Sequence, residues 1–108
     1  MLPKKNRADK KAVAEVFKEG KFLNSGNLTF KFVPNSGLAL PRISVIVPKT
    51  ISKKAVERNF LRRRGYRILK KYLDQFPAKL SGVFIFKKPI SSILEIENEI
   101  KIILSKLQ

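Results

Sequence analysis

The chain has 108 residues, which fits one domain, and its 44% hydrophobic content can supply a core. Lys plus Arg is 24 and Asp plus Glu is 8, a formal net charge of +16 that points to a polyanionic partner. The absence of Cys and His excludes disulfides, thiolate metal sites and imidazole chemistry.

Apolar runs are interrupted within a few residues, so no membrane-spanning helix is expected. The opening Met1-Leu2-Pro3-Lys4-Lys5-Asn6 carries charge with no apolar stretch after it, so no signal peptide is expected either. The cytoplasm is the expected compartment.

Asp9 to Gly20 reads as a short helix, with Asp9 as N-cap and Gly20 as its stop. Val13, Val16 and Phe17 form its apolar stripe, and Lys10, Lys11 and Lys18 occupy other faces. A short strand is suggested near Gly20 to Leu23. Leu28 to Val33 alternates as a strand, with Leu28, Phe30 and Phe32 on one face and Thr29 and Lys31 on the other. Pro34-Asn35-Ser36-Gly37 has turn chemistry. Arg42 to Val47 is a second strand, rich in β-branched residues and bracketed by Pro41 and Pro48.

From about Lys53 to Leu73 the pattern is helical and amphipathic. Leu61, Gly65, Ile68, Leu69 and Tyr72 share one face; Asn59, Arg63, Arg67 and Lys70 share the opposite one. Lys53 to Arg67 holds seven cationic side chains against one carboxylate, Glu57. The like-charged pairs Arg58/Arg62 and Arg63/Arg67 each destabilise an isolated helix by about 0.2–0.5 kcal/mol. Gly65, on the apolar face, predicts close approach of this helix to a sheet. Gly82 to Lys87 is a third clear strand, ended by Pro89, and Ser92-Ile93-Leu94-Glu95 has capping-box form. Ile93, Ile96, Ile100, Ile103, Leu104 and Leu107 stripe the last helix. Its Glu95, Glu97 and Glu99 are read as favourable charge near a helix N-terminus. The order is helix, strands, basic helix, strand, helix: an α/β (α+β) domain over residues 1–108 with a strand–helix–strand crossover around the basic helix.

Arginine forks match phosphate oxygens bidentately, so the basic helix is read as a nucleic-acid contact rather than a solvated face. Phe17, Phe30, Phe32, Phe84 and Phe86 are candidate stacking residues, but their spacing fits core packing for most of them. The remaining acids, Asp9, Glu15, Glu19, Glu57 and Asp74, are scattered, so no carboxylate-built metal or catalytic centre is expected. Neither a glycine-rich phosphate loop nor a serine nucleophile motif is visible.

Ala55-Val56-Glu57-Arg58-Asn59-Phe60-Leu61-Arg62-Arg63, preceded by Arg42-Ile43-Ser44-Val45-Ile46-Val47-Pro48-Lys49, resembles the bacterial ribonuclease P protein component. Val16-Phe17-Lys18-Glu19-Gly20 and Gly82-Val83-Phe84-Ile85-Phe86-Lys87-Lys88-Pro89 resemble it too, in order and over nearly the whole chain. The resemblance implies a subunit of an endoribonuclease. It would pair 1:1 with a large catalytic RNA and act on precursor tRNA, removing the 5′ leader. Hydrolysis would be carried by RNA, with Mg²⁺ held mainly by the RNA subunit and substrate. No catalytic residue and no metal ligand would come from the protein, and no membrane would be involved. The resemblance also implies a left-handed β-α-β crossover, whereas strand twist alone favours the right-handed form in ~98% of cases.

By position, Arg58, Asn59, Arg62 and Arg63 match the family's RNA-binding motif. Lys49 and Lys53 match basic positions before it; Lys54 and Arg67 join them as candidates. Phe17 matches an aromatic of a leader-binding cleft between sheet and first helix. Two positions depart from the family pattern: Tyr66 stands where a basic residue is usual, and Val13 where a second aromatic is frequent. Two alternatives fit the charge and size: a structural RNA-binding protein of ribosomal type, and a DNA-binding module using the basic helix in a major groove.

Overall fold

The computed structural model describes residues 6–34, 41–90 and 92–107. Helix α1 (Lys10–Glu19) leads into strands β1 (Lys21–Asn24), β2 (Leu28–Val33) and β3 (Arg42–Ile46). Helix α2 (Ala55–Tyr72) follows, then strand β4 (Ser81–Phe86) and helix α3 (Ile93–Leu107). The turn expected at Pro34-Asn35-Ser36-Gly37 falls largely outside the described residues.

The four strands form one mixed sheet in the order β1-β2-β4-β3. β1 and β2 pair antiparallel, as do β2 and β4, while β3 runs parallel to β4. Adjacent parallel strands joined through α2 make the expected β-α-β unit. The short strand suggested near residue 20 is β1, an edge strand opened by Lys21, a charge that discourages pairing with another chain.

Register sorts the side chains by face. Phe30 pairs with Phe84, which pairs with Val45; Phe32 pairs with Gly82, which pairs with Ile43; Leu28 pairs with Phe86. This face carries the main core and is covered by α2 and α3, which contribute Leu61, Ile68, Leu69, Ile96, Ile100 and Ile103. The Phe30 and Phe84 rings stack 4.3 Å apart across the strands, and Phe76 meets Phe84 edge-on. Phe30, Phe32, Phe84 and Phe86 are therefore core residues. A Cβ at Gly82 would collide with the fully buried Phe30 ring, so the ring occupies the space that glycine leaves. Gly65 does the same between elements: its Cβ would lie 3.1 Å from Val45 Cγ1, which lets α2 settle against β3.

The other face is more polar, with Lys31 on β2, Arg42 and Ser44 on β3, and Val83 on β4. Helix α1 covers part of it. Val16 of α1 and Val83 of β4, both completely buried, lie outside the main cluster. Asp9 caps α1, its Oδ1 accepting from the Ala12 amide at 2.8 Å, and the helix stops at Gly20. The segment before α1 is tied to β3: Asn6 Nδ2 donates to the Pro41 carbonyl at 3.2 Å, and Ser44 Oγ donates to that of Ala8 at 2.9 Å.

Two glutamates of α3 have other work than the helix dipole, whose influence fades within the first turn. Glu95 alone lies in that turn. Glu97 Oε2 accepts from the Tyr72 hydroxyl at 2.6 Å and faces Lys71 Nζ at 3.4 Å, clasping α3 to the end of α2. The Tyr72 hydroxyl holds the Glu97 carboxyl below its ordinary range, and the same hydrogen bond raises Tyr72 above its own. Glu99 is buried. It accepts from Ser25 Oγ, Asn27 N, Asn27 Nδ2 and Leu28 N at 2.6, 2.7, 2.6 and 3.1 Å, fixing the β1–β2 turn.

Candidate nucleic-acid interface

The basic helix begins under electrostatic opposition. Lys54 is its N-cap residue and makes no side-chain cap bond, and Lys53 precedes it, so two cations face the positive end of the helix dipole. Glu57 is the acid of the first turn and accepts from Ser52 Oγ at 2.5 Å. Arg58 Nη1 donates to the carbonyls of Ser52 and Lys53 at 3.0 and 2.8 Å. These contacts lock the loop to the helix and fix where Lys49, Lys53 and Lys54, all exposed, are presented. Arg58 is half-buried in doing so.

Along α2 the two faces separate as the periodicity predicts. Leu61, Gly65, Ile68 and Leu69 are buried, Tyr72 on the same face is half-buried and Tyr66 is buried outside that period, whereas Asn59, Arg63, Arg67 and Lys70 are exposed. Among the described residues no carboxylate pairs with Arg63, Arg67 or Lys70. Arg62 is half-buried and donates through Nη2 to Asn59 Oδ1. That bond orients the amide and the guanidinium together.

Beside this helix an open cleft of about 1000 Å³ runs over edge strand β3. Arg7 to Lys10 with Val13 and Ala14 wall one side, Arg42, Ser44, Val45 and Ile46 of β3 form the floor, and Arg62 and Tyr66 of α2 wall the other. Four of its lining residues are cations (Arg7, Lys10, Arg42, Arg62) and one, Asp9, is an acid held 4.0 Å from Arg42. An anion entering here meets a positive field partly shielded from solvent. Arg62 thus links the cleft to the outward face of α2.

Phe17 does not line this cleft. It lies one turn beyond Val13 on α1, 46% exposed, with Lys31 Nζ 4.9 Å from its ring centroid. Phe22, the cross-strand partner of Lys31, is also exposed.

The ribonuclease P family model matches residues 2–108. The chain belongs to the ribonuclease P protein family. It is 31% identical over 111 residues to the ribonuclease P protein component of Pseudanabaena sp. (strain PCC 6903), a match spanning 98% of this chain and 94% of that one. Solved structures share its fold. The Staphylococcus aureus RNase P protein aligns with a TM-score of 0.78 at 19% identity, covering 93% of this chain and 92% of that one. The Thermotoga maritima RNase P protein aligns with a TM-score of 0.77 at 24% identity, covering 89% and 91% respectively.

Within this chain the motif residues divide by position. Asn59 and Arg63 face outward with Arg67, Arg62 turns to the cleft, and Arg58 holds the preceding loop. Tyr66 is buried, and its hydroxyl accepts from the Val45 amide at 3.1 Å. A lysine or arginine could not accept that bond. The tyrosine therefore satisfies a donor of an edge strand.

Sequence reasoning passed over Arg7, Lys10 and Arg42 in the cleft. Arg42 was legible, because it alternates with Ile43 and Val45 onto the polar face of β3. It also passed over Phe60, an exposed ring outside the apolar period of α2. Being out of register was the available signal.

Proposed function

We propose that this chain is the protein subunit of a ribonuclease P holoenzyme, binding a catalytic RNA through the outward face of α2 and the 5′ leader of precursor tRNA through the adjoining cleft. The observation that carries this reading is the exposed set Asn59, Arg63, Arg67 and Lys70, without a described carboxylate on its cations, adjoining a cleft with four cationic lining residues. Arginine forks grip phosphates, and an open cationic cleft of about 1000 Å³ offers room for part of an extended strand. Phe17 and Lys31 extend a stacking and charged surface beyond it.

Leader removal by this assembly is hydrolysis at the 5′ side of tRNA, and the chemistry belongs to the RNA partner. Three of the chain's carboxylates are engaged by other groups. Glu99 is saturated by turn donors, Glu97 is bound to Tyr72 and Lys71, and Glu57 is bound to Ser52. Among the described residues no group of three or more acids converges. The protein's contribution is charge: it offsets repulsion between two RNAs, which lowers the divalent cation concentration the assembly needs.

Reconstitution tests this. The chain with the large RNA that co-purifies from its own cells is expected to mature precursor tRNA at low Mg²⁺, while the chain alone cleaves nothing. An unchanged Mg²⁺ requirement on adding protein, or cleavage by the protein alone, contradicts the proposal.

A further inference from the structure

Phe60 is 44% exposed, although 20 other apolar side chains among the described residues reach the buried interior. It does not belong to the buried side of α2, whose members are Leu61, Gly65, Tyr66, Ile68 and Leu69. The ring clusters of the core join Phe30, Phe32, Phe76 and Phe84 and leave Phe60 out. One feature does hold it in place. The Arg64 guanidinium carbon lies 4.3 Å from its ring centroid, one helical turn along. The outward cations Arg63 and Arg67 lie beside this pair on the same side of the helix. Val56, 76% exposed, continues the apolar line one turn earlier.

We infer that Phe60, braced by Arg64, is a stacking platform for an unpaired nucleobase of the RNA that α2 binds. The inference rests on the RNA-binding reading above and names a contact that phosphate recognition alone does not require. Charge selects the occupant. A second copy of a chain at +16 would meet like charge around the patch, and an apolar protein partner would have to bury those cations. A nucleobase offers a flat π-face to the ring while its phosphates take the flanking arginines. An aromatic ring with a guanidinium on one face is held flat and pre-oriented, so little side-chain entropy is lost when a base arrives.

Stacking and phosphate contact differ in their salt dependence, because only the second releases counterions. Phe60→Ala is expected to weaken binding to the chain's large RNA partner by about 5- to 150-fold. The loss should be the same at low and high salt, leaving the slope of log affinity against log salt unchanged. Phe60→Tyr should restore affinity and Phe60→Leu should not. On a fully paired RNA duplex, Phe60→Ala should bind like wild type, since a duplex offers no free base. The chain has no tryptophan, so Phe60→Trp introduces a single reporter whose emission should be quenched on RNA binding. Circular dichroism of Phe60→Ala should match wild type, because the side chain lies outside the core. Wild-type affinity in Phe60→Ala, alongside a weakened Arg63→Ala, overturns the platform and leaves the RNA-binding reading standing. A Phe60→Leu variant that binds fully, or a duplex loss equal to the loss on the structured RNA, overturns it as well. If the wild-type chain binds no RNA, the parent reading fails and takes this one with it.

Discussion

Glu99 accepts four hydrogen bonds from residues 71 to 74 positions earlier in the chain. Two of the donors are backbone amides, of Asn27 and Leu28, and Leu28 is buried. Removing the carboxylate takes the acceptor from the buried Leu28 amide, whereas the Asn27 amide also donates to the Ser25 carbonyl at 3.0 Å; an unsatisfied buried donor costs about 1–3 kcal/mol. Glu99→Ala is expected to lose about 2–4 kcal/mol of stability in urea unfolding. Glu99→Gln, which keeps one acceptor oxygen, should lose less. Equal stability of Glu99→Ala and wild type would mean that the turn holds without the carboxylate. The sequence placed Glu99 correctly on α3 but could not show what it meets. Helical spacing describes neighbours within a few residues, and this contact closes a long loop. Phe60 and Tyr66 teach the complementary lesson. Both break a local pattern, and the fold explains Tyr66 through the edge amide of Val45.

At the scale of elements, periodicity carried most of the information. Leu61, Gly65, Ile68 and Leu69 were legible as the buried face of α2, and Phe30, Phe32, Phe84 and Phe86 as sheet core, because burial and spacing share one period. The strand order β1-β2-β4-β3 was not legible, since pairing is set by contacts between distant segments. The cleft was hidden for the same reason. Its walls come from α1, β3 and α2, brought together by Asn6, Ser44 and Tyr66. The α2–α3 clasp makes a pH-dependent element. Glu97 is held below its ordinary range in the fold, so its contribution is present above the unfolded value and fades as pH falls through the folded one. Tyr72 is raised, so its contribution is present below its ordinary value and is lost as pH rises through the folded one. Tyr72→Phe removes the larger cause of both shifts. Its melting temperature is expected to fall toward acid less steeply than that of wild type. Parallel melting profiles would show that the clasp does not couple to the fold.

At the scale of the molecule, the distribution of charge matters more than its total. The interior is assembled mainly from apolar stripes, whereas many of the cations lie on α2, its leading loop and the cleft. Their mutual repulsion opposes the compact state, and a bound polyanion relieves it. No helix among the described residues is long and apolar enough to cross a membrane. The central claim is that the outward face of α2 contacts phosphates. Its most direct test is the salt dependence of affinity for the RNA partner, measured for wild type and Arg63→Ala in parallel. The account predicts weaker binding by the variant and a slope of log affinity against log salt shallower by roughly one. An identical slope and affinity in the two proteins would contradict it.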